Sequence, residues 1–147
     1  MLENVSLNYV TRVQDDLSAI APEAWDELLA RQDAPSPFMQ HAYLSAMHTS
    51  GSAVPDTGWT PRFVLMRERG ALVAACALYL KAHSYGEYVF DWAWDNAYEQ
   101  HGLAYYPKLL DAVPFTPVPG RRLLVKPGPD AERCEKLLAT AGVEVAR

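Results

Sequence analysis

The stretch Leu109 to Arg122 reads LLDAVPFTPVPGRR, and how it is read decides how the sheet of this chain is built. The apolar run Leu109 to Phe115 predicts a buried strand. Pro114, Pro117 and Pro119 interrupt it. Proline has no N–H for a ladder, so a proline inside a strand marks an edge, a bulge or a splayed end. The run closes on Gly120-Arg121-Arg122, and Gly128-Pro129-Asp130 then reads as the start of a helix. A strand that opens into a Gly/Arg turn ahead of a helix offers an anion free backbone N–H groups and guanidinium charge. The turn at Gly120, Arg121 and Arg122 reads either as a phosphate site for a cofactor or as a solvated turn, and the motif alone does not separate the two.

Upstream lies HSYGEYVFDWAWDNAYEQHG, residues His83 to Gly102, the most unusual composition in the chain. His83, Glu87, Asp91 and Asp95 recur every fourth residue, as metal ligands on one helix face would. Gly86 and the aromatic and β-branched Tyr85, Tyr88, Val89, Phe90 and Trp92 favour a strand instead, which sets the metal reading aside. In a strand, Glu87, Val89 and Asp91 share one face, and Tyr88, Phe90 and Trp92 share the other. Glu87 and Asp91 are then either a general base and its neighbour or the outer face of a half-exposed strand. Asp95 to Gln100 predicts a short helix ended by Gly102.

The run Ala71 to Lys81, ALVAACALYLK, is almost unbroken in apolar residues and predicts a central strand covered on both faces. With Phe63 to Arg67 it forms a hairpin turning at Arg69-Gly70. A first strand is expected over Leu7 to Val13, and an amphipathic helix from Pro22 to about Arg31. Ser36-Pro37 reads as an N-cap and first turn, followed by a stripe of Phe38, Met39, Ala42, Tyr43, Ala46 and Met47 up to Gly51. His41 and His48 fall beside or opposite that stripe, as polar-face or partly packed histidines. The last helix is expected over Asp130 to Thr140, with Leu137 and Leu138 facing in.

A chain of 147 residues is one domain by length. Its net charge of −5 and lack of a Lys/Arg stripe argue against nucleic acid and anionic membrane as partners. Cys76 lies in an apolar run and reads as a small buried hydrophobe; neither cysteine has metal-ligand spacing. No basic leader or membrane-length apolar run is visible, so a reducing cytoplasm is the expected compartment.

LYLKAHSYGEYVFDWAW, YYPKLL and AVPFTPVPGRRLL resemble the bacterial FemAB-like branch of the GNAT N-acyltransferase superfamily, and SPFMQHAYLSAMHTSG and GWTPRFVLMR fit it too. The resemblance spans roughly Ala34 to Leu124. It implies an α/β (α+β) fold, a GNAT-like three-layer mixed sheet flanked by helices, in which the strand ending near Val113 splays from its neighbour. An acyl-CoA arm, or an aminoacyl-tRNA terminus, would lie in that gap, its pyrophosphate at Pro119 to Arg122. Against the family pattern, the usual Gly-rich turn directly before the helix is reduced to Gly120-Arg121-Arg122. Family members also run on past this helix, so residues 1–147 read as one truncated acyltransferase-like domain with an exposed sheet edge, open to homodimerisation.

The resemblance implies N-acyl transfer from acyl-CoA (acetyl-CoA) or aminoacyl-tRNA to an amine, in cell-wall precursor metabolism and without a metal. Glu87 or Asp91 would take the amine proton, and backbone N–H groups near Val113 and Phe115 would polarise the carbonyl. Gly120, Arg121 and Arg122 would hold phosphate, while Tyr85, Trp92 and Trp94 would shape the acceptor pocket. The alternatives are a non-catalytic module that stacks these aromatics on a glycan, and a half-domain inactive by itself.

Overall fold

The computed structural model describes residues 8–87 and 90–147. Its centre is one long hairpin, bent in the middle. The descending arm is β2 (Trp59–Pro61) and β3 (Phe63–Glu68); the returning arm is β4 (Ala71–Cys76) and β5 (Leu78–Lys81). Arg69 and Gly70, at φ 49° and 83°, turn the chain, as the Arg-Gly pair predicts. The arms break at Arg62 and Ala77, where the Arg62 N–H donates to the Leu78 carbonyl at 2.8 Å. The bend divides the ladder into two antiparallel sheets, ordered β1-β3-β4-β7 and β2-β5-β6. Here β1 is Tyr9–Gln14, β6 is Lys108–Asp111 and β7 is Leu124–Val125.

The unbroken apolar run of the hairpin is explained by its two covered faces. Phe63, Leu65, Ala75, Ala77 and Tyr79 point to one core, with α1 (Pro22–Ala30) and α2 (His41–Thr49). Val64, Met66, Cys76 and Leu78 point to the other, under Cys134 and Leu138 of α4 (Ala131–Val145). The alternation is the two-residue period of a strand, interrupted by a register shift between Met66 and Arg67. Helices thus cover both faces of the sheet, and the α+β, three-layer class expected from the sequence holds. Every recorded pairing among the described residues is antiparallel.

Three local readings differ. Ser36 does cap Phe38, but Pro37–Met39 is only a 3-10 turn, and Gln40 (ψ 146°) separates it from α2. The predicted stripe is therefore rotated. His41 and Leu44 are buried while Ala42 and Ala46 are exposed, and the ring nitrogens of His41 and His48 bond the Leu17 carbonyl and the Tyr79 hydroxyl. In α4, Leu138 is buried but Leu137 is exposed. Gln32, just past the predicted helix, is a buried staple: its amide donates to Val125 O and accepts from Val125 N–H, tying the end of α1 to β7.

Candidate functional site

β6 and β7 flank the same arm of the hairpin. Along β4 and β5 the partners run Ala74↔Val125, Ala75↔Leu124, then Leu78↔Asp111 to Lys81↔Lys108. The segment from 108 to 125 is therefore one strand position interrupted by a twelve-residue excursion, Ala112 to Leu123. The predicted strand Leu109–Phe115 stops at Asp111. Pro114, Pro117 and Pro119 all fall in the excursion, where no ladder asks for their missing N–H.

The excursion is held at two adjacent residues, Phe115 and Thr116. Tyr43 of α2 shares a 2.8 Å hydrogen bond with Thr116, and the Phe115 N–H donates to Gly86 O at 3.2 Å. Phe115 sits at φ 58°, a conformation that non-glycine residues rarely take, with its ring against Gly86. A Cβ on Gly86 would lie 2.8 Å from that ring, so the close approach requires glycine there.

Under the excursion lies a cavity of about 270 Å³. Trp59, Leu110 and Val113 supply apolar wall; Glu87, Asp91, Lys108 and Arg122 supply charge of both signs. The strand predicted through Glu87 to Trp92 is not found at its described positions. Glu87 follows a turn, Asp91 stands at the N-cap of α3 (Trp92–Gln100), and Trp92 opens that helix; Tyr88 and Val89 lie outside the described residues. A turn and a helix cap nonetheless bring both acids to one cation. Lys108 Nζ is 3.2 Å from Glu87 Oε2 and also contacts Asp91 Oδ2. The Tyr105 hydroxyl donates to the same Asp91 oxygen at 2.7 Å, and the Tyr106 hydroxyl reaches Glu87 Oε2 at 3.4 Å.

This arrangement separates the two acids. Lys108, then Tyr105, hold the Asp91 carboxyl below its usual range, so it is a weak proton acceptor. Glu87 is more deeply placed, its side chain 6% exposed, and its Oε1 has no hydrogen-bond partner among the described residues. Burial alone would lower the Lys108 pKa, but its bonds to Asp91 and Glu87 outweigh that and raise it. Lys108 was not singled out in the sequence. The only available signal was its place at the end of Tyr105-Tyr106-Pro107-Lys108, two aromatics and a cation leading into a strand.

The other candidate residues divide. Val113 and Arg122 line the cavity; Arg122 donates to Val118 O and leaves Nη1 without a partner among the described residues. Arg121 is turned the other way, 3.3 Å from Glu135 of α4. The Phe115 N–H is committed to Gly86, so it is not free to polarise a carbonyl. Gly120 packs beside Arg122. Tyr85, Trp92 and Trp94 are exposed on and ahead of α3 rather than inside the cavity. Among the described residues no group of three or more His, Cys, Asp or Glu is placed to hold a metal ion, and no helix is long and apolar enough to cross a membrane.

The fold and site define an α+β protein with helices on both faces of an antiparallel sheet and a mixed-charge cavity beside a broken strand. The chain matches the family model of the FemAB-like proteins, described as peptidoglycan biosynthesis/recognition, over residues 16–147, and it belongs to that family. Comparison with curated proteins and with solved structures returned no match.

Proposed function

We propose that the cavity under the Ala112–Leu123 excursion is an acyl-transfer site. An acetyl or aminoacyl group, carried by acyl-CoA or by an aminoacyl-tRNA, passes there to an amine of a cell-wall precursor. The observation that carries this reading is the opened ladder between Asp111 and Leu124, with acids and cations gathered beneath it. The amine nitrogen attacks the acyl carbonyl, the new C–N bond forms and the thioester C–S or ester C–O bond breaks. The amine proton goes to a base, and the departing sulfur or oxygen takes a proton.

Glu87 is the better base of the two acids, because one of its oxygens is unengaged while Asp91 is committed to Lys108 and Tyr105. Lys108 is a positioning residue that fixes the Glu87 carboxylate. Arg122 is the cavity cation with no carboxylate within ion-pair distance among the described residues, and it suits the anionic part of the donor. A volume of about 270 Å³ lies just below the usual ligand-pocket range of about 300–1,000 Å³. It suits the reacting end of a donor rather than a whole nucleotide.

The test uses the neighbouring arginines as each other's control. In calorimetric titration of the chain with acetyl-CoA, Arg122→Ala is expected to weaken binding by about tenfold, the effect of one charge-assisted contact. Arg121→Ala is expected to bind as the parent does. Equal affinity for the two variants would remove the cavity from the donor site.

A further inference from the structure

The bend of the hairpin and the end of α2 border a second cavity, of about 280 Å³, that shares no lining residue with the first. Trp59 lines one and its neighbour Thr60 the other, as the two-residue period of β2 requires. Buried Leu17 and Ala53, with Pro61, give the second cavity its apolar wall; Asp15, Asp16 and Arg62 give it charge.

Those charges do not neutralise one another. The ion pairs among the described residues belong to Arg31, Lys108, Arg121, Lys136 and Arg147, and Arg62 is in none of them. Arg62 is nevertheless half-buried and held in place. Its backbone N–H donates to the Leu78 carbonyl, and its Nη1 donates to the Pro61 carbonyl at 2.8 Å. A guanidinium has five N–H donors, so the fork keeps capacity for a carboxylate. Asp16 Oδ1 accepts from the Ser18 hydroxyl and N–H, and these bonds hold its carboxyl below the usual range. The exposed Asp15 beside it makes no recorded ion pair among the described residues. His48, also in the wall, shares a 2.8 Å hydrogen bond with the Tyr79 hydroxyl, and burial lowers its pKa, so it adds no charge at pH 7.

An unpaired guanidinium and two carboxylates in one cavity fit a ligand that carries both an anion and a cation. A plain anion would be repelled by Asp15 and Asp16, and a plain amine by Arg62. The apolar wall asks for an apolar group on the same ligand. The volume lies just below the usual ligand-pocket range of about 300–1,000 Å³, so the ligand is small. We propose that this cavity binds a free apolar α-amino acid, its carboxylate on Arg62, its ammonium on Asp15 and Asp16, and its side chain against Leu17 and Ala53. The site goes beyond the acyl-transfer reading and does not rest on it. An aminoacyl ester has given up its free carboxylate, so this cavity is not a second seat for the acyl donor.

The experiment titrates the chain with L-leucine, L-leucine methyl ester and N-acetyl-L-leucine, by calorimetry and by ¹H–¹⁵N spectra. Leucine is expected to bind saturably, with a Kd of about 1 mM or tighter, and to shift the Ala53 and Thr60 amide signals. The ester, which lacks the carboxylate, and the N-acetyl compound, which lacks the ammonium, should each bind about tenfold more weakly. Arg62→Gln should weaken leucine about tenfold and leave the ester unchanged. Asp15→Asn should weaken leucine and leave N-acetyl-L-leucine unchanged; lying at an exposed position, it serves if Arg62→Gln does not fold. No saturable binding of leucine, an ester that binds as tightly as leucine, or variants that weaken all three compounds alike would overturn the site. Arg122→Ala should leave the leucine titration unchanged, so failure of the acyl-donor reading and failure of this site are read separately.

Discussion

Lys81 and Lys108 face each other across the β5–β6 ladder, and the protein treats them in opposite ways. Lys108 sits among carboxylates and phenols: Glu87, Asp91 and Tyr105 all contact its Nζ. Lys81 is wholly buried, and its recorded hydrogen bonds go to backbone. Its Nζ donates to the His83 and Tyr85 carbonyls at 2.6 Å each and lies 4.5 Å from the centre of the Trp59 ring. Burial lowers its pKa, Glu87 pulls it up and Lys108 pushes it down. Like charges directly across a ladder repel, and this pair is tolerated because one ammonium is neutralised by acids and the other by peptide dipoles and an indole. The same register position thus yields one residue that organises the acids of the cavity and one that fixes the turn carrying Glu87 into it.

The largest effect is expected from breaking the neutralised side. Lys108→Met leaves Glu87 buried without its cation, and removal of one partner of a buried pair costs about 3–5 kcal/mol. Urea denaturation at pH 7 should show the loss. A loss below 1 kcal/mol at pH 7 would mean that the acids rearrange to solvent and that Lys108 does not organise them.

Asp111 sharpens the comparison from the other end of β6. It pairs with Leu78 and, unlike the wholly buried Lys81, is only partly buried, but its Oδ1 is buried with no hydrogen bond among the described residues. Burial pushes its carboxyl up from 3.8 to about 7, against the pull of Arg122. Below pH 3.8 both the folded and unfolded chains hold this proton. As the pH rises toward 7 the unfolded chain gives it up first, so folding takes up a proton and stability falls. Asp111→Asn should remove that decline and stabilise the protein at pH 8, with a ceiling of about 4 kcal/mol from the size of the shift, and have little effect at pH 3.5. Equal gains at both pH values would show that the carboxyl titrates alike in the folded and unfolded chains, so that burial does not raise it.

How much of this could be read in the sequence follows from what kind of information each feature needs. The hairpin was legible because Ala71–Leu80 is apolar on both faces, as a strand covered on both sides requires, and because Arg69-Gly70 supplies the turn. The strand break was half legible. The prolines announce it, but Asp111, not Phe115, ends the strand, since the end is set by where β5 bends. Glu87 and Asp91 were found from composition and placed on the wrong element: aromatic, β-branched residues favour a strand, yet a helix begins at Trp92. Lys108 and Gln32 were missed because their partners lie far along the chain or across a ladder. Local pattern shows that Arg121 and Arg122 are adjacent, but only packing shows that one meets α4 and the other the cavity.

The smallest effect belongs to Lys81, and its sign with pH is the sharpest test of the comparison. Lys81→Met keeps the volume, removes a buried charge and leaves the His83 and Tyr85 carbonyls without their donor. The gain and the loss oppose each other, and a net cost of about 1–2 kcal/mol at pH 7 is expected from the two unpaired carbonyls. Because the fold lowers the Lys81 pKa, the folded chain gives up that proton before the unfolded one does. Its contribution to stability is therefore complete above pH 10.5 and is lost as the pH falls through the folded value. Lys108 is the reverse: its pKa is raised, so its contribution is complete below 10.5 and is lost at still higher pH. Alkaline unfolding curves should separate the two, with Lys81→Met lacking a rise in stability toward pH 10.5 and Lys108→Met lacking a fall beyond it. Parallel curves for the two variants would mean that carboxylates and carbonyls hold these ammonium groups equally well, and the distinction between the two sides of the ladder would be lost.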